Sequence, residues 1–189
     1  MVARAVAINP IRVTRKMATL QAGELTRTVK WHDPAATRAL VHGLSGLEVM
    51  RGIRDGLIPG PPLALLIGFR CTGAEPGEVV MTLDYDPSLE NSIGMLHGAT
   101  TAAMLDTAMA AAANTMLPIG AAVVTLDLTL TYLRPARAEN APIVATGTVA
   151  NQGRRSIYAL GEVRDNRGRL MVHAVGNFSV VNPVGPHAQ

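Results

Sequence analysis

Residues 91–106 read Asn-Ser-Ile-Gly-Met-Leu-His-Gly-Ala-Thr-Thr-Ala-Ala-Met-Leu-Asp, a glycine-containing loop that leads directly into an apolar helix. Gly98 stands where this helix begins, so its amide and those after it point outward at the positive end of the helix dipole. Because glycine has no Cβ, a carbonyl group can approach this backbone closely. The stretch therefore predicts a place where a developing negative charge is stabilised.

The helix that follows, over about residues 98–116, is slim because alanine dominates it, so a sheet can approach it closely. Asp106 is its only carboxylate, and the residues three and four positions away are alanines and a methionine. No cation on the same face can therefore pair with Asp106. Burial of an unpaired carboxylate costs several kcal/mol, so such a residue usually has a role. We expect Asp106 to be functional; the alternative is that it simply faces solvent.

Strand patterns flank the helix on both sides. Runs at 68–74 and 78–85 surround a Glu-Pro-Gly turn, and four more runs follow the helix at about 121–133, 142–152, 155–165 and 169–181. The last two runs are joined by Asp165-Asn166-Arg167-Gly168, a strong hairpin signal. Two strands, one long helix and four strands predict an α+β fold in which an antiparallel β-sheet packs on a long central α-helix.

The segment before the first strand reads as a short helix and a break. Ser45-Gly46-Leu47-Glu48 has capping-box spacing, which predicts a helix over about 45–55. The Pro-Gly-Pro-Pro run at 59–62 ends it, and residues 63–67 read as a single helical turn. Apolar side chains in this segment either cover a substrate chamber or pack in the core, and we expect core packing for at least half of them: Met50, Ile53, Leu57, Leu65 and Ile67.

The chain divides into one domain and two flanking segments. Residues 41–182 form the domain, residues 1–40 a partly flexible N-terminal extension, and residues 183–189 a C-terminal tail. Residues 1–16 are interpreted as an upstream extension or loose tail, because the segment that follows Met17 reads like a natural start.

Charge and cysteine content exclude several classes of function. Four of the basic residues lie in the first sixteen positions, and the remainder carries 13 basic against 14 acidic side chains, which argues against nucleic acid as a partner. Cys71 is the only cysteine, so no intramolecular disulfide and no usual zinc site is expected, and a cytoplasmic location is the simplest interpretation. We interpret Cys71 as a small apolar filler. No membrane span is expected, because Asp106 and Asn114 interrupt the longest apolar run.

At this point the chain resembles the hotdog-fold acyl-CoA thioesterases of the phenylacetate-degradation (PaaI-like) type, over about residues 45–182. That family has an asparagine, a glycine three residues on, a His-Gly pair that opens the central helix, and an acidic residue eight after the glycine. The order and spacing match here at Asn91, Gly94, His97, Gly98 and Asp106. Ala99 departs from the second glycine that is common in the family.

The resemblance implies an acyl-CoA thioesterase that releases a free acid and coenzyme A. The Gly98 N–H would polarise the thioester carbonyl, and Asp106 would act as general base or as nucleophile. Asn91 and Thr125 would orient the water or the carboxylate, and His97 would hold the loop. No cofactor and no metal would be needed.

The resemblance also implies the partners of the chain. It predicts a homodimer, often paired again into a homotetramer, with active sites at the subunit interface; Asn91 and Gly98 would come from one subunit, and Asp106 and Thr125 from the other. Segments similar to those that meet coenzyme A in the family hold Arg134, Pro135, Gly153, Arg154 and Arg155. Planar guanidinium donors match phosphate oxygens. A solvated hairpin tip is the alternative for the last two arginines.

Two other functions share the fold. A hotdog hydratase or dehydratase would need a catalytic histidine in a different setting from His97. A non-catalytic acyl-CoA-binding protein would keep the pocket, but it would gain by losing the charge of Asp106.

Overall fold

The structure, a computed structural model, describes residues 25–182. Within that range the elements are, in chain order, helices α1 (Pro34–Leu40), α2 (Gly46–Arg54) and α3 (Pro62–Ile67), strands β1 (Phe69–Glu75) and β2 (Glu78–Leu83), helix α4 (Gly98–Thr115), and strands β3 (Ala122–Tyr132), β4 (Ile143–Gln152), β5 (Ser156–Arg164) and β6 (Leu170–Val181). The sequence did not predict α1, nor two short 3-10 helices at Pro87–Leu89 and Ala138–Asn140.

All six strands form one antiparallel sheet in the order β1-β2-β4-β5-β6-β3. Helix α4 lies against one face of this sheet and contacts every strand. The predicted α+β hotdog fold, with an antiparallel sheet wrapped around a long central helix, is confirmed. Strands β1 and β3 are the two edges of the sheet. Strand β3, the first after α4, pairs with β6, the last strand of the described chain.

The helix and the sheet pack closely because the strands present glycine where they cross α4. Gly147 on β4 and Gly161 on β5 are direct cross-strand partners. A Cβ on Gly147 would lie 2.4 Å from the backbone of Ala108 and Met109, and one on Gly161 would lie 2.7 Å from the Met109 sulfur. The alanine-rich helix therefore sits nearly on the backbone of the sheet, and its rotation and depth are fixed by steric contact.

The capping box and the first hairpin turn form at the positions predicted from the sequence. The Ser45 hydroxyl accepts from Glu48 N at 3.3 Å while Glu48 Oε2 accepts from Ser45 N at 2.7 Å, the complete capping box. The Pro76-Gly77 turn joins β1 to β2, with Gly77 in the left-handed region at φ 77°. Helix α3 begins one residue earlier than predicted, at Pro62.

Part of the expected N-terminal extension is attached to the domain. Arg27 forms an ion pair with Asp86 at 3.1 Å, and α1 begins at Pro34 behind an Asp33 N-cap. The interpretations of residues 1–16, of Met17 and of the tail at 183–189 fall outside the described residues. None of the described helices is long and apolar enough to cross a membrane.

Cys71 is a buried free thiol on β1, 7% exposed. Burial raises the pKa of this thiol, which disfavours the reactive thiolate. The interpretation of Cys71 as an apolar filler fits this setting.

Asp165 ties the β5–β6 turn to the 3-10 helix at Ala138–Asn140. Its carboxylate accepts hydrogen bonds from the backbone of Arg167 and Arg169 and from the Arg169 side chain, and it contacts the Asn140 amide at 3.3 Å. The Arg169 side chain and these donors lower the pKa of Asp165 to about 2. This cluster holds the chain just after residues 134–136, which form a wall of the cleft described below.

A glycine substitution tests the close packing of helix and sheet. Gly147→Ala forces a methyl group onto the α4 backbone and is expected to destabilise the fold by about 1–3 kcal/mol or more. Gly60→Ala is the matched control, because its Cβ would meet nothing nearer than 4.0 Å. Thermal unfolding followed by circular dichroism measures both. Equal melting temperatures would contradict the packing described here.

Acid should weaken the Asp165 cluster. Because the folded-state pKa lies below the unfolded value, this carboxylate stabilises the fold above about pH 4, and the contribution is lost as the pH falls toward about 2. Asp165→Asn should therefore lower the melting temperature at pH 7, with a difference from wild type that shrinks between about pH 4 and pH 2. Asp84→Asn is the control, because its pair with Arg70 is exposed. A constant difference across this pH range would contradict the assignment.

Candidate functional site

A cleft of about 310 Å³ opens at the N-terminal end of α4. It brings together four of the residues predicted from the sequence, namely Asn91, Gly98, Arg134 and Pro135. Tyr132, Met95 and Thr101 complete much of its wall. The loop before α4 and the chain that leaves β3 form its two sides.

The first amide of α4 points into solvent at this cleft. Gly98 is the first residue of the helix, and none of the described residues accepts a hydrogen bond from its N–H. His97 is the N-cap, and its Nδ1 accepts from Ala99 N at 3.1 Å. Nδ1 is the acceptor in this contact, and His97 thereby caps the start of the helix. The free Gly98 N–H can donate to an oxyanion.

Tyr132 fixes the conformation of Gly98 from the end of β3. Its hydroxyl donates to the Gly98 carbonyl at 2.9 Å, and its ring would lie 3.2 Å from a Cβ at that position. A Cβ at this position would therefore crowd the Tyr132 ring. The sequence did not indicate Tyr132 as a site residue, although it lies two residues before Arg134.

Asn91 uses one end of its amide to build the loop. Its Oδ1 accepts from Ile93 N at 3.0 Å and from Met95 N at 3.2 Å. Both donors are backbone amides, which fixes the orientation of the side-chain amide and leaves Nδ2 as a donor on the cleft side. Gly94, in the left-handed region at φ 72°, closes this turn.

Asp106 lies on α4 in a separate place, half-buried, with Thr125 as its partner. The Thr125 hydroxyl donates to Asp106 Oδ1 at 2.7 Å. Thr125 pairs with Phe178 across the sheet, next to a β-bulge between Thr125 and Asp127 that re-aims the strand. None of the ion pairs of the described residues involves Asp106, and its hydrogen-bond partner comes from the edge strand.

Asp106 lines an apolar groove of about 710 Å³ between α4 and the N-terminal helices. Of the five apolar residues considered for a chamber, Met50, Ile53 and Leu65 line this groove. Ile67 packs against the core, and Leu57 is 78% exposed beyond the end of α2. Met50 lines the groove and belongs to the core as well, so the two alternatives overlap.

The spacing along α4 separates Asp106 from Gly98. Eight residues of α-helix span roughly 12 Å along the axis, which is too far for both groups to reach one carbonyl carbon. The two residues also line different depressions, Gly98 the cleft and Asp106 the groove. Within one copy of the chain, the predicted catalytic residues therefore lie in two separate places, with Asn91 and Gly98 at the cleft and Asp106 at the groove.

The turn that holds Arg154 and Arg155 lies at the opposite end of α4 from the cleft. Gly153, Arg154 and Arg155 form the β4–β5 turn, and the adjacent Gln152 side chain donates to Met116 O just past the C-terminus of α4. Arg134 lies near the N-terminus of α4, where its guanidinium donates to Leu170 O. A single copy does not bring these arginines together.

Edge strand β3 exposes several apolar side chains, among them Val124, Leu126 and Tyr132, at 50–62%. An exposed edge strand with apolar side chains is a ready template for pairing with another strand. Between residues 25 and 182 no group of three His, Cys, Asp or Glu side chains is placed to hold a metal ion.

Comparison with known proteins relates this geometry to families. Residues 93–172, which include the cleft loop, α4 and the strands as far as β6, match the model of the thioesterase superfamily. A candidate esterase of Halobacterium salinarum is 29% identical over 126 residues, which cover 62% of this chain and 83% of that protein. Human acyl-coenzyme A thioesterase 13 is 35% identical over 81 residues, 43% of this chain; the match spans 56% of the human protein.

Solved structures share the fold over most of their length. The Escherichia coli PaaI protein from the phenylacetic acid degradation operon superposes with a TM-score of 0.62 at 22% identity, covering 72% of this chain and 96% of that one. A thioesterase from Haemophilus influenzae gives a TM-score of 0.63 at 24% identity, covering 68% and 89%. At these identities the likeness shows the fold alone.

Proposed function

We propose that the protein is an acyl-CoA thioesterase that hydrolyses an acyl-CoA to a free acid and coenzyme A, because residues 93–172 match the model of the thioesterase superfamily. The match supports thioester hydrolysis as the reaction class. The observation that carries the rest is the pair of half-sites, a free helix N-terminal amide at Gly98 and a half-buried carboxylate at Asp106. The one-cysteine chain, with its buried thiol, supports a cytoplasmic location in this proposal.

In this proposal the thioester oxygen binds the Gly98 N–H. The negative charge that develops on this oxygen is stabilised there, an effect commonly worth about 3–4 kcal/mol per donor. Asp106 either deprotonates the attacking water or attacks the carbonyl carbon itself, and the Thr125 hydroxyl holds the carboxylate in position. Asn91 Nδ2 supplies a second donor beside the reacting groups. The thiolate of coenzyme A leaves when the tetrahedral intermediate collapses. When water attacks, this step gives the free acid directly; when Asp106 attacks, it leaves a mixed anhydride, which water hydrolyses to the free acid and the Asp106 carboxylate.

The site is complete only in a dimer, since Gly98 and Asp106 are too far apart in one copy. Antiparallel pairing of β3 with the β3 of a second copy about a two-fold axis turns opposite ends of the two protomers toward each other. A register that sets Thr125 opposite the partner's Tyr132 would place each Asp106 against the other copy's Gly98, because Thr125 contacts Asp106 and Tyr132 contacts Gly98. The pairing would also cover the exposed apolar side chains of β3.

Subunit complementation tests this arrangement. Asp106→Asn and Asn91→Ala homodimers should each be nearly inactive in a free-thiol release assay with acyl-CoA. Mixed in equal amounts with subunit exchange, half of the dimers become heterodimers with one intact site of two, so about a quarter of wild-type activity should return. Two samples of the same variant, mixed in the same way, are the control.

The complementation result separates the alternatives. No recovery, with exchange verified by native mass spectrometry, would contradict a site shared between subunits. Near-native kcat in the Asp106→Asn homodimer would contradict the mechanism itself. Tight binding of acyl-CoA by wild type without any thiol release would favour the non-catalytic binding protein.

The same two-fold arrangement would bring the predicted coenzyme A residues together. Arg134 and Pro135 lie at one end of a protomer, and Gly153, Arg154 and Arg155 at the other. Antiparallel pairing makes these opposite ends neighbours across the interface. We propose that the arginines of the β4–β5 turn contact the nucleotide phosphates of a coenzyme A whose pantetheine arm passes the cleft of the other copy.

A truncated substrate tests this assignment. Arg154→Ala and Arg155→Ala should raise KM for acyl-CoA several-fold with little change in kcat, and should leave KM for the corresponding N-acetylcysteamine thioester unchanged, because that thioester has no phosphates. Arg164→Ala is the control, because Arg164 is already paired with Glu162 at 2.7 Å. Equal effects on both substrates would contradict a phosphate-binding role.

A further inference from the structure

We infer that the groove beside Asp106 is the acyl subsite and that it selects an unsubstituted alkyl chain of medium or greater length over short acyl and aryl groups. This inference rests on the proposed thioesterase function. In this assignment the groove binds the acyl chain of the substrate, and the cleft beside Arg134 binds the coenzyme A arm.

The position and size of the groove support the first part. Asp106 is one of the side chains that line it, so the carbonyl carbon that Asp106 acts on would lie next to the groove. From there the groove runs beneath α2 and α3 to α1, and its volume is about 710 Å³ against about 310 Å³ for the cleft. An acetyl or benzoyl group would leave most of this space unfilled, whereas a long chain would fill it.

The surface of the groove is aliphatic and adaptable. Its buried lining includes Met50, Phe69, Cys71 and Met81, and Phe69 is the one aromatic residue among the described residues that line the groove. Methionine is unbranched and flexible, so it accommodates a chain without a fixed shape. Such a lining contributes affinity in proportion to the apolar area that the ligand buries.

Several polar groups of the groove are already engaged. The hydroxyls of Thr37 and Thr107 donate to carbonyls one turn earlier in the chain, at 3.1 and 2.8 Å. Arg70, on the exposed rim, is paired with Asp84 at 2.6 Å. No buried side-chain nitrogen or oxygen among the described residues lacks a partner. A hydroxyl on an aryl group would therefore find no free partner in Thr37, Thr107 or Arg70, which disfavours hydroxyaryl substrates in this part of the groove.

The α4 face that forms the inner wall suggests the test. Ala110, half-buried, lines the groove one turn beyond Asp106. Ala110→Phe would fill the space that the chain needs. Leu57→Phe introduces the same ring at a position that is 78% exposed and outside the groove, and is the matched control.

Chain-length profiles are the measurement. Wild-type kcat/KM should be at least about tenfold higher for decanoyl-CoA than for butanoyl-CoA or phenylacetyl-CoA, because each buried methylene favours binding about fourfold. Ala110→Phe should lower the decanoyl-to-butanoyl ratio at least about fivefold, and Leu57→Phe should keep it. Leu65→Ala, which widens the groove, should raise the ratio of tetradecanoyl to decanoyl turnover.

A binding measurement keeps this inference separate from the proposed function. With Asp106→Asn, isothermal titration calorimetry should give a lower Kd for decanoyl-CoA than for butanoyl-CoA, and Ala110→Phe in the same background should remove the difference. A flat chain-length profile, a preference for phenylacetyl-CoA, or equal losses for all chains in Ala110→Phe would overturn the alkyl subsite and leave thioesterase activity standing. Chain-length-dependent binding without hydrolysis of any acyl-CoA would overturn the proposed function and leave the subsite.

Discussion

The close contact between the alanine-rich helix α4 and the glycines of the sheet positions everything else in this protein. Gly147 admits the helix backbone to a distance at which even a methyl group would clash. Because interiors are packed without room to adjust, this contact fixes both the depth and the rotation of α4. The rotation sends Asp106 toward edge strand β3 and the N-terminal helices, and the depth sets Gly98 within reach of Tyr132. The positions of Asp106 and Gly98 thus depend on sheet glycines, which have no side chain to hold the helix away.

The rise of an α-helix then keeps two groups of the proposed site apart. Eight residues separate Gly98 from Asp106, roughly 12 Å along the helix axis, so a rigid helix cannot bring both groups to one carbonyl. In the proposed dimer, a second copy of the chain placed by edge-strand pairing would supply the missing half without any change in either helix. That arrangement would give a site with a free amide and a carboxylate on opposite sides of the substrate, and it would cover the exposed apolar residues of β3.

The two depressions also differ in the ligand chemistry they suit. The cleft is lined partly by backbone and by Arg134, whereas the buried lining of the groove includes methionine, phenylalanine and cysteine side chains. A thioester of coenzyme A has the same asymmetry, with a charged, polar arm on sulfur and an acyl group on carbon. In the proposed dimer, the groove of one copy would meet the cleft of the other beside Asp106. The thioester bond that is cleaved would lie at this junction.

The sequence by itself determined the strands and the longer helices, and it indicated Gly98 and Asp106 as candidates, because both depend on local rules. Capping at Ser45, the turn at Gly77 and the helix start at Gly98 follow from backbone geometry that neighbouring residues dictate. The resemblance then suggested the other residues of the proposed site. Only the tertiary structure decided that Thr125 bonds Asp106, that Tyr132 holds Gly98, and that one copy splits the site between two depressions. These contacts join residues far apart in the chain, and no local pattern encodes the strand order or the bulge that creates them.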